Sequence, residues 1–164
     1  MRELVLAVER AYVTPPSTTA LGDPEIAAAC IGAVASRFLA VGTPRSIGLI
    51  GPPHLAQSSL EAHRTWFDPK DVRTADRCSI DEILASDIVC IHAPIAIGAK
   101  SIRRGTHINV LVAGVTIDPD LAVVRTDEVT GLRDLAAGFV DGRQLDEITV
   151  FVIGDAAIAR AAII

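Results

Sequence analysis

The sequence is short of aromatic side chains: Phe, Trp and Tyr make up 4% of its 164 residues. A core without them must be filled by Ala, Val, Ile and Leu, which suits helices packed closely on a sheet better than an aromatic-rich sandwich. The three cysteines, Cys30, Cys78 and Cys90, are odd in number and lack CxxC spacing, so they signal neither a disulfide framework nor a zinc cluster. His54, His63, His92 and His107 lack ligand spacing such as HExxH, and no metal is expected. There is no Lys/Arg run interleaved with aromatics, and the formal net charge of -5 argues against a nucleic-acid partner. No apolar run nears the ~18 residues of a spanning helix. The start, Met1-Arg2-Glu3-Leu4, carries an acid and no apolar signal region, so the expectation is a cytoplasmic protein without a membrane partner.

What is present is aliphatic bulk. Half of the residues are hydrophobic, enough for one domain that buries roughly two-thirds of its unfolded-chain surface. Leu4, Val5, Val8, Tyr12 and Val13 recur at helical spacing, and Pro15-Pro16 stops that helix. Residues 16–22 read as a loop, and Asp23-Pro24-Glu25 supplies an N-cap, a first-turn proline and an early acid for a helix reaching about Ala40. Its small residues, Ala27 to Cys30 and Gly32, allow another backbone to approach closely. Strands are predicted over 45–50, 88–91, 108–112, 122–124 and 148–152, with helices over 55–66, 80–85 and 154–164. Short β-branched runs separated by helical segments predict an α/β fold with a mostly parallel sheet, built by right-handed crossovers and flanked by helices.

A dinucleotide fold places a Gly-rich turn after its first strand, because backbone N–H groups and a helix N-terminus must approach the pyrophosphate without a Cβ in the way. Here that turn is Gly51-Pro52-Pro53-His54-Leu55-Ala56. Each proline removes a backbone donor, and Pro53 stands where the second, close-approach glycine belongs. The same residues also read as a rigid strand-to-helix turn with prolines near a helix start. The residue that reads the adenosine ribose is expected about twenty positions on, near Trp66-Phe67-Asp68-Pro69-Lys70-Asp71. No clear apolar strand precedes Asp68, so reader and strand are expected to be missing, with Asp68 and Asp71 as turn residues.

From about Ile26 onward the order of segments resembles the ornithine cyclodeaminase/mu-crystallin family. The carriers are Ala35-Ser36-Arg37-Phe38-Leu39-Ala40, Ile47-Gly48-Leu49-Ile50-Gly51, Ser86-Asp87-Ile88-Val89-Cys90, Gly105-Thr106-His107-Ile108-Asn109, Gly142-Arg143 and Ile148-Thr149-Val150-Phe151. The resemblance implies a Rossmann-like NAD(P)-binding frame, which in that family is joined to an N-terminal domain for substrate binding and dimer formation. On this comparison residues 1–25 are a remnant of that domain, and 1–164 form a single truncated Rossmann-like domain. The family's Arg-Thr-Ala-Ala motif, whose arginine holds the substrate carboxylate, falls on Ala27-Ala28-Ala29-Cys30, where no bidentate ionic contact can form. Its Gly-Thr-Gly phosphate turn falls on Gly51-Pro52-Pro53, and its acid/base aspartate falls on Gly114. These departures imply a frame without cofactor, without catalytic residues and not acting as an enzyme.

The cleft beyond the C-terminal strand ends is the expected ligand groove, with His54, His92, Pro94, Ala113 and Gly114 as its candidate residues beside the degenerate loop Gly51, Pro52, Pro53 and His54. Such a groove, or an exposed strand edge, suits an extended peptide. Shortened proteins of this family are similar to accessory proteins of bacterial ribosomal-peptide pathways, such as that of crocagin, which implies binding of a precursor peptide and help in its modification. A homodimer is expected, with the closing helix and the Ala-rich helix as candidate contact elements that read equally as internal packing faces. Two alternatives stand beside this reading. One is a minimal NAD(P)-dependent imine reductase or cyclodeaminase using His92 and His107 as acid/base groups. The other is a structural subunit of a full-length paralogue.

Overall fold

The structure is a computed structural model and describes residues 1–13, 23–98, 102–118 and 146–153. The amphipathic helix α1 (Arg2–Val13) turns Val5 and Val8, both fully buried, onto the next helix. That helix, α2 (Pro24–Leu39), begins as its sequence signals: Asp23 is the N-cap and accepts the Glu25 N–H at 2.9 Å, while Pro24 opens the first turn. Then come β1 (Ser46–Ile50), α3 (Pro53–His63), β2 (Asp71–Thr74), α4 (Ile80–Leu84), β3 (Ile88–Ile91), β4 (Ala96–Ile97), β5 (His107–Val110), β6 (Thr116–Ile117) and β7 (Thr149–Val152).

Five strands pair in parallel in the order β2-β1-β3-β5-β7. The chain leaves β1 for β2 on one side and returns to β3 on the other, so the order reverses between β1 and β3. In open parallel sheets such a reversal leaves a crevice beyond the strands' C-terminal ends. Strands β4 and β6 form a separate two-stranded parallel ribbon from the segments that follow β3 and β5.

Alternation along each strand splits the core into two layers. Ile47, Leu49, Ile88, Cys90 and Phe151 pack with α1, α2 and α3, whereas Ile50, Val89, Ile91, Ile108, Val110 and Val150 pack with Ile83 and Leu84 of α4. Burial on both faces explains why β1, β3 and β5 read as continuous apolar runs. Gly48 is required by the α4 layer: a Cβ there would lie 2.4 Å from the Ile83 carbonyl oxygen. At the N-terminal end of the sheet, Asp87 accepts the N–H groups of Arg45 and Ser46 at 2.8 Å and the Ser46 hydroxyl at 2.9 Å, and it pairs with Arg103. Burial pushes the Asp87 carboxyl up, but these hydrogen bonds outweigh it and hold the group below the ordinary carboxylate range.

Several expectations are corrected. The strand expected to be missing before the ribose position is present as β2, paired with β1 from Ser46↔Asp71 to Leu49↔Thr74. It lies at an edge of the sheet and contributes only Val72 to the core, so its composition is that of a polar segment. Asp71 accordingly belongs to a strand and pairs with Arg73, not to a turn. Helix α3 starts two residues earlier than its apolar spacing suggests, because a proline with its fixed φ suits a first turn. The Ala-rich helix is internal: Ala27 to Ser36 are buried, with α1, α3, β5 and β7 against α2. The ribbon of β4 and β6 has only two residues per strand and gave no sequence signal. The expected loop 16–22, strand 122–124 and helix 154–164 lie outside the described residues. Among the described residues no helix is long and apolar enough to cross a membrane.

Gly48→Ala is expected to lower stability by about 1–3 kcal/mol, since strand and α4 backbone must separate. A urea titration followed by far-UV circular dichroism would read this as a lower midpoint at unchanged slope, and an unchanged midpoint would refute it.

Candidate functional site

Strand β1 delivers the chain to the switch point, where Gly51 takes φ 138°, a conformation that favours glycine. A Cβ on Gly51 would lie 2.7 Å from the Cβ of His92, so the turn after β1 presses directly on the residue that follows β3. The His92 N–H donates to the Ile50 carbonyl at 2.7 Å, which prolongs the pairing of the two strands by one rung. Pro52 then acts as the N-cap of α3 without a side-chain cap bond.

Beside this turn lies a cleft of about 130 Å³ lined by Pro24, Glu25, Ala28, Leu55, His92, Leu111 and Val112. Of the groove residues read from the sequence, only His92 lines it. His54 is exposed at the start of α3, with Nε2 3.4 Å from Glu25 Oε2. Pro94, Ala113 and Gly114 are exposed on the segments after β3 and β5, where a Cβ on Gly114 would come within 3.3 Å of Pro94. The α2 wall, formed by Pro24, Glu25 and Ala28, was missed because nothing in its sequence says that the N-terminus of a core helix ends beside the β1 turn. Ala28 belongs to the tetrapeptide aligned with the carboxylate-binding motif, so that segment does reach the cleft, with a methyl group.

His92 is only 6% exposed, and its Nε2 lies 2.7 Å from the fully buried Ser59 hydroxyl. The roles within this bond follow the ring tautomer, since the Ser59 hydroxyl, which also bonds the Cys90 thiol, can donate to the ring or accept from it. The other ring nitrogen, Nδ1, has no protein partner among the described residues and is not sealed from solvent. Burial first, then the nearby His54, lowers the His92 pKa to about 4, so the ring is neutral at pH 7.

A hydrogen-bonded chain runs back from this point. His63 donates Nδ1–H to the Ser59 carbonyl at 2.7 Å and accepts the Ser36 hydroxyl at Nε2 at 2.9 Å. Asn109 donates to Ser36 Oγ at 2.8 Å and accepts from His107 Nε2 at 3.1 Å. His107 Nδ1 lies 2.8 Å from Thr149 Oγ1, which reaches the Leu39 carbonyl at 3.1 Å. His107 opens β5 at the end of the sheet away from the cleft, so the two histidines paired in the reductase alternative are not brought together. Cys90, fully enclosed between these groups, has its thiol pushed up to about 12 by burial, against weaker opposing bonds from Asn109 and Ser59, and is no nucleophile at neutral pH. Asp68 and Lys70 form an exposed ion pair, and Asp76 and Arg77 stand exposed just beyond β2.

The pH response follows from the buried rings. His63 is lowered from 6.5 to about 4, with burial as the largest cause, and His92 moves likewise. Both folded-state values lie below the unfolded one, so the unfolded chain binds more protons between pH 6.5 and 4. Their contribution is complete above pH 6.5 and is lost as pH falls toward 4, by about 3 kcal/mol per group at most. Unfolding free energy from urea titrations should decline across that window, and His63→Gln should flatten the decline while lowering stability at pH 7. An unchanged slope in the variant would remove His63 from this account.

No family profile matches the sequence, and no curated protein does. Solved structures do match. An archaeal alanine dehydrogenase dimer with bound NAD has a TM-score of 0.66 at 21% identity, over 82% of this chain and 61% of that one. The iminosuccinate reductase of Paracoccus denitrificans in complex with NAD+ gives 0.67 at 19%, over 83% and 61%. A probable ornithine cyclodeaminase from Bordetella pertussis Tohama I gives 0.59 at 18%, over 83% and 63%. The chain thus spans about three-fifths of the length of these proteins. At such identities the likeness is one of fold: a Rossmann-like α/β sheet shared with reductases and cyclodeaminases. The expectation of a non-enzyme is corrected by such neighbours, because they include a dehydrogenase, reductases and cyclodeaminases, and a frame met in enzymes gives no ground for excluding catalysis.

Proposed function

We propose that the chain is the binding part of an enzyme system on the reductase–cyclodeaminase frame, holding one residue of a ribosomally made precursor peptide while that peptide is modified in natural-product biosynthesis. One observation carries the reading: the cleft at the switch point combines a turn stripped of anion donors with apolar walls, a carboxylate and a neutral imidazole. Pro52 and Pro53 have no N–H, and those of Leu55 and Ala56 return to the Pro52 carbonyl at 3.1 and 3.0 Å. Only the His54 N–H is left where a dinucleotide needs several donors. The turn therefore does not fit a pyrophosphate. A residue-sized cleft beside a sheet end suits a peptide, whose backbone offers donors and acceptors to His92 Nδ1.

A second reading, an NAD(P)-dependent imine reductase or cyclodeaminase, is favoured by one observation. Strand β2 ends at Thr74, and Asp76 and Arg77 follow in the place where dinucleotide folds read the adenosine ribose or its phosphate.

Calorimetric titration of the chain with NADH, NADPH and a candidate precursor peptide separates the two. Micromolar peptide binding, weakened about threefold to tenfold in His92→Ala, is expected. Micromolar NAD(P)H binding that falls in Arg77→Ala or Asp76→Ala would replace the peptide reading with the second.

A further inference from the structure

The mouth of the cleft joins two features of opposite electrostatic preference. The N-terminus of α3, an eleven-residue helix, favours an anion through its dipole and unpaired N–H groups. Of those donors only the His54 N–H remains, for the reasons given above. Against it stands Glu25, which α2 holds 3.4 Å from the His54 ring with its side chain 57% exposed. A negative charge beside the turn repels a phosphate and attracts a cation.

His92 gives independent evidence that something binds here. It lines the cleft and is 94% buried, by its 6% exposure, yet its Nδ1 has no protein partner among the described residues. A cavity on the order of 150 Å³ holds a benzene-sized group, so a cleft of about 130 Å³ takes an isobutyl-sized one. Three chemical demands thus meet in one place: a cation near Glu25, a polar partner for His92 Nδ1, and a short branched body against Ala28, Leu55 and Leu111.

We propose that the turn after β1 has exchanged its charge preference, and that the cleft binds the amino-terminal residue of a peptide. Its α-ammonium lies beside Glu25, its first carbonyl accepts from His92 and its apolar side chain fills the cleft. This deepens the peptide reading, on which it rests, by naming the part of the peptide that is recognised. A dinucleotide is excluded by the same groups, because the ammonium site and the pyrophosphate site share the mouth of the cleft.

The test uses leucinamide, N-acetyl-leucinamide and N-acetyl-leucine as probes of one shape and three charges, titrated into the full chain and followed by 1H–15N shifts at Leu55, His92 and the His92 ring. Leucinamide should bind tightest and N-acetyl-leucine weakest. The gap between the first two should be about fivefold, as for an ion pair at a partly exposed carboxylate. Glu25→Gln, a surface change, should close that gap while leaving N-acetyl-leucinamide binding in place. Equal or tighter binding of N-acetyl-leucine, a gap that survives Glu25→Gln, or no saturable shift at tens of millimolar would each overturn the proposal. Failure of leucinamide with a precursor peptide still bound would sink this inference alone. Leucinamide binding with no peptide bound would sink the peptide reading and keep the charge preference.

Discussion

The hydrogen-bonded chain from His92 through Ser59, His63, Ser36, Asn109, His107 and Thr149 to the Leu39 carbonyl is the constraint on which the rest depends. It crosses a layer otherwise filled by Ala, Val, Ile and Leu, whose packing is non-directional and tolerates sliding. Directional bonds between Ser36 and Asn109, and between Ser59 and His92, allow one register of α2 and of α3 on the sheet. Pairing these buried groups with one another offsets a penalty of roughly 1–3 kcal/mol for each that would be left unsatisfied. Its acid sensitivity has the same origin: a ring that must stay neutral to accept from Ser36 cannot take a second proton without breaking that bond.

The site is an outgrowth of this arrangement. Ser59 holds the His92 ring at Nε2, and Gly51 allows the β1 turn to press on His92, leaving little freedom to the imidazole in the cleft wall. Because α2 is fixed on the sheet through Ser36, its first turn is fixed too, and with it Glu25 and Ala28. The cleft walls, drawn from α2, α3 and the segments after β3 and β5, are thus positioned by a rigid core.

The resemblance to reductases and cyclodeaminases now has a physical content. The segments that carry it are those that build the parallel sheet and the polar chain: the Gly105 to Asn109 stretch supplies His107 and Asn109, and Ser86 to Cys90 supplies the Asp87 staple and Cys90. They are residues of the frame. A frame is compatible with many sites, so the enzymes that share it do not by themselves say what the cleft takes.

Most of the layered fold was legible along the chain. Helix α2 announces itself by Asp23-Pro24-Glu25, and β1, β3 and β5 by apolar runs that only strands buried on both faces need. The loss of donors at Pro52 and Pro53 was equally legible, since it is a covalent property of proline. Strand β2 was not, because an edge strand is made by pairing with its neighbour and needs only Val72 in the core. Nor were Glu25, Ala28 and Leu55 as walls of a cleft, or Ser59 as the partner of His92, 33 residues away. Local sequence determined which segments could be helix or strand and which backbone groups could never donate. Tertiary packing alone decided which side chains share a cleft, because that depends on where separate segments end in space.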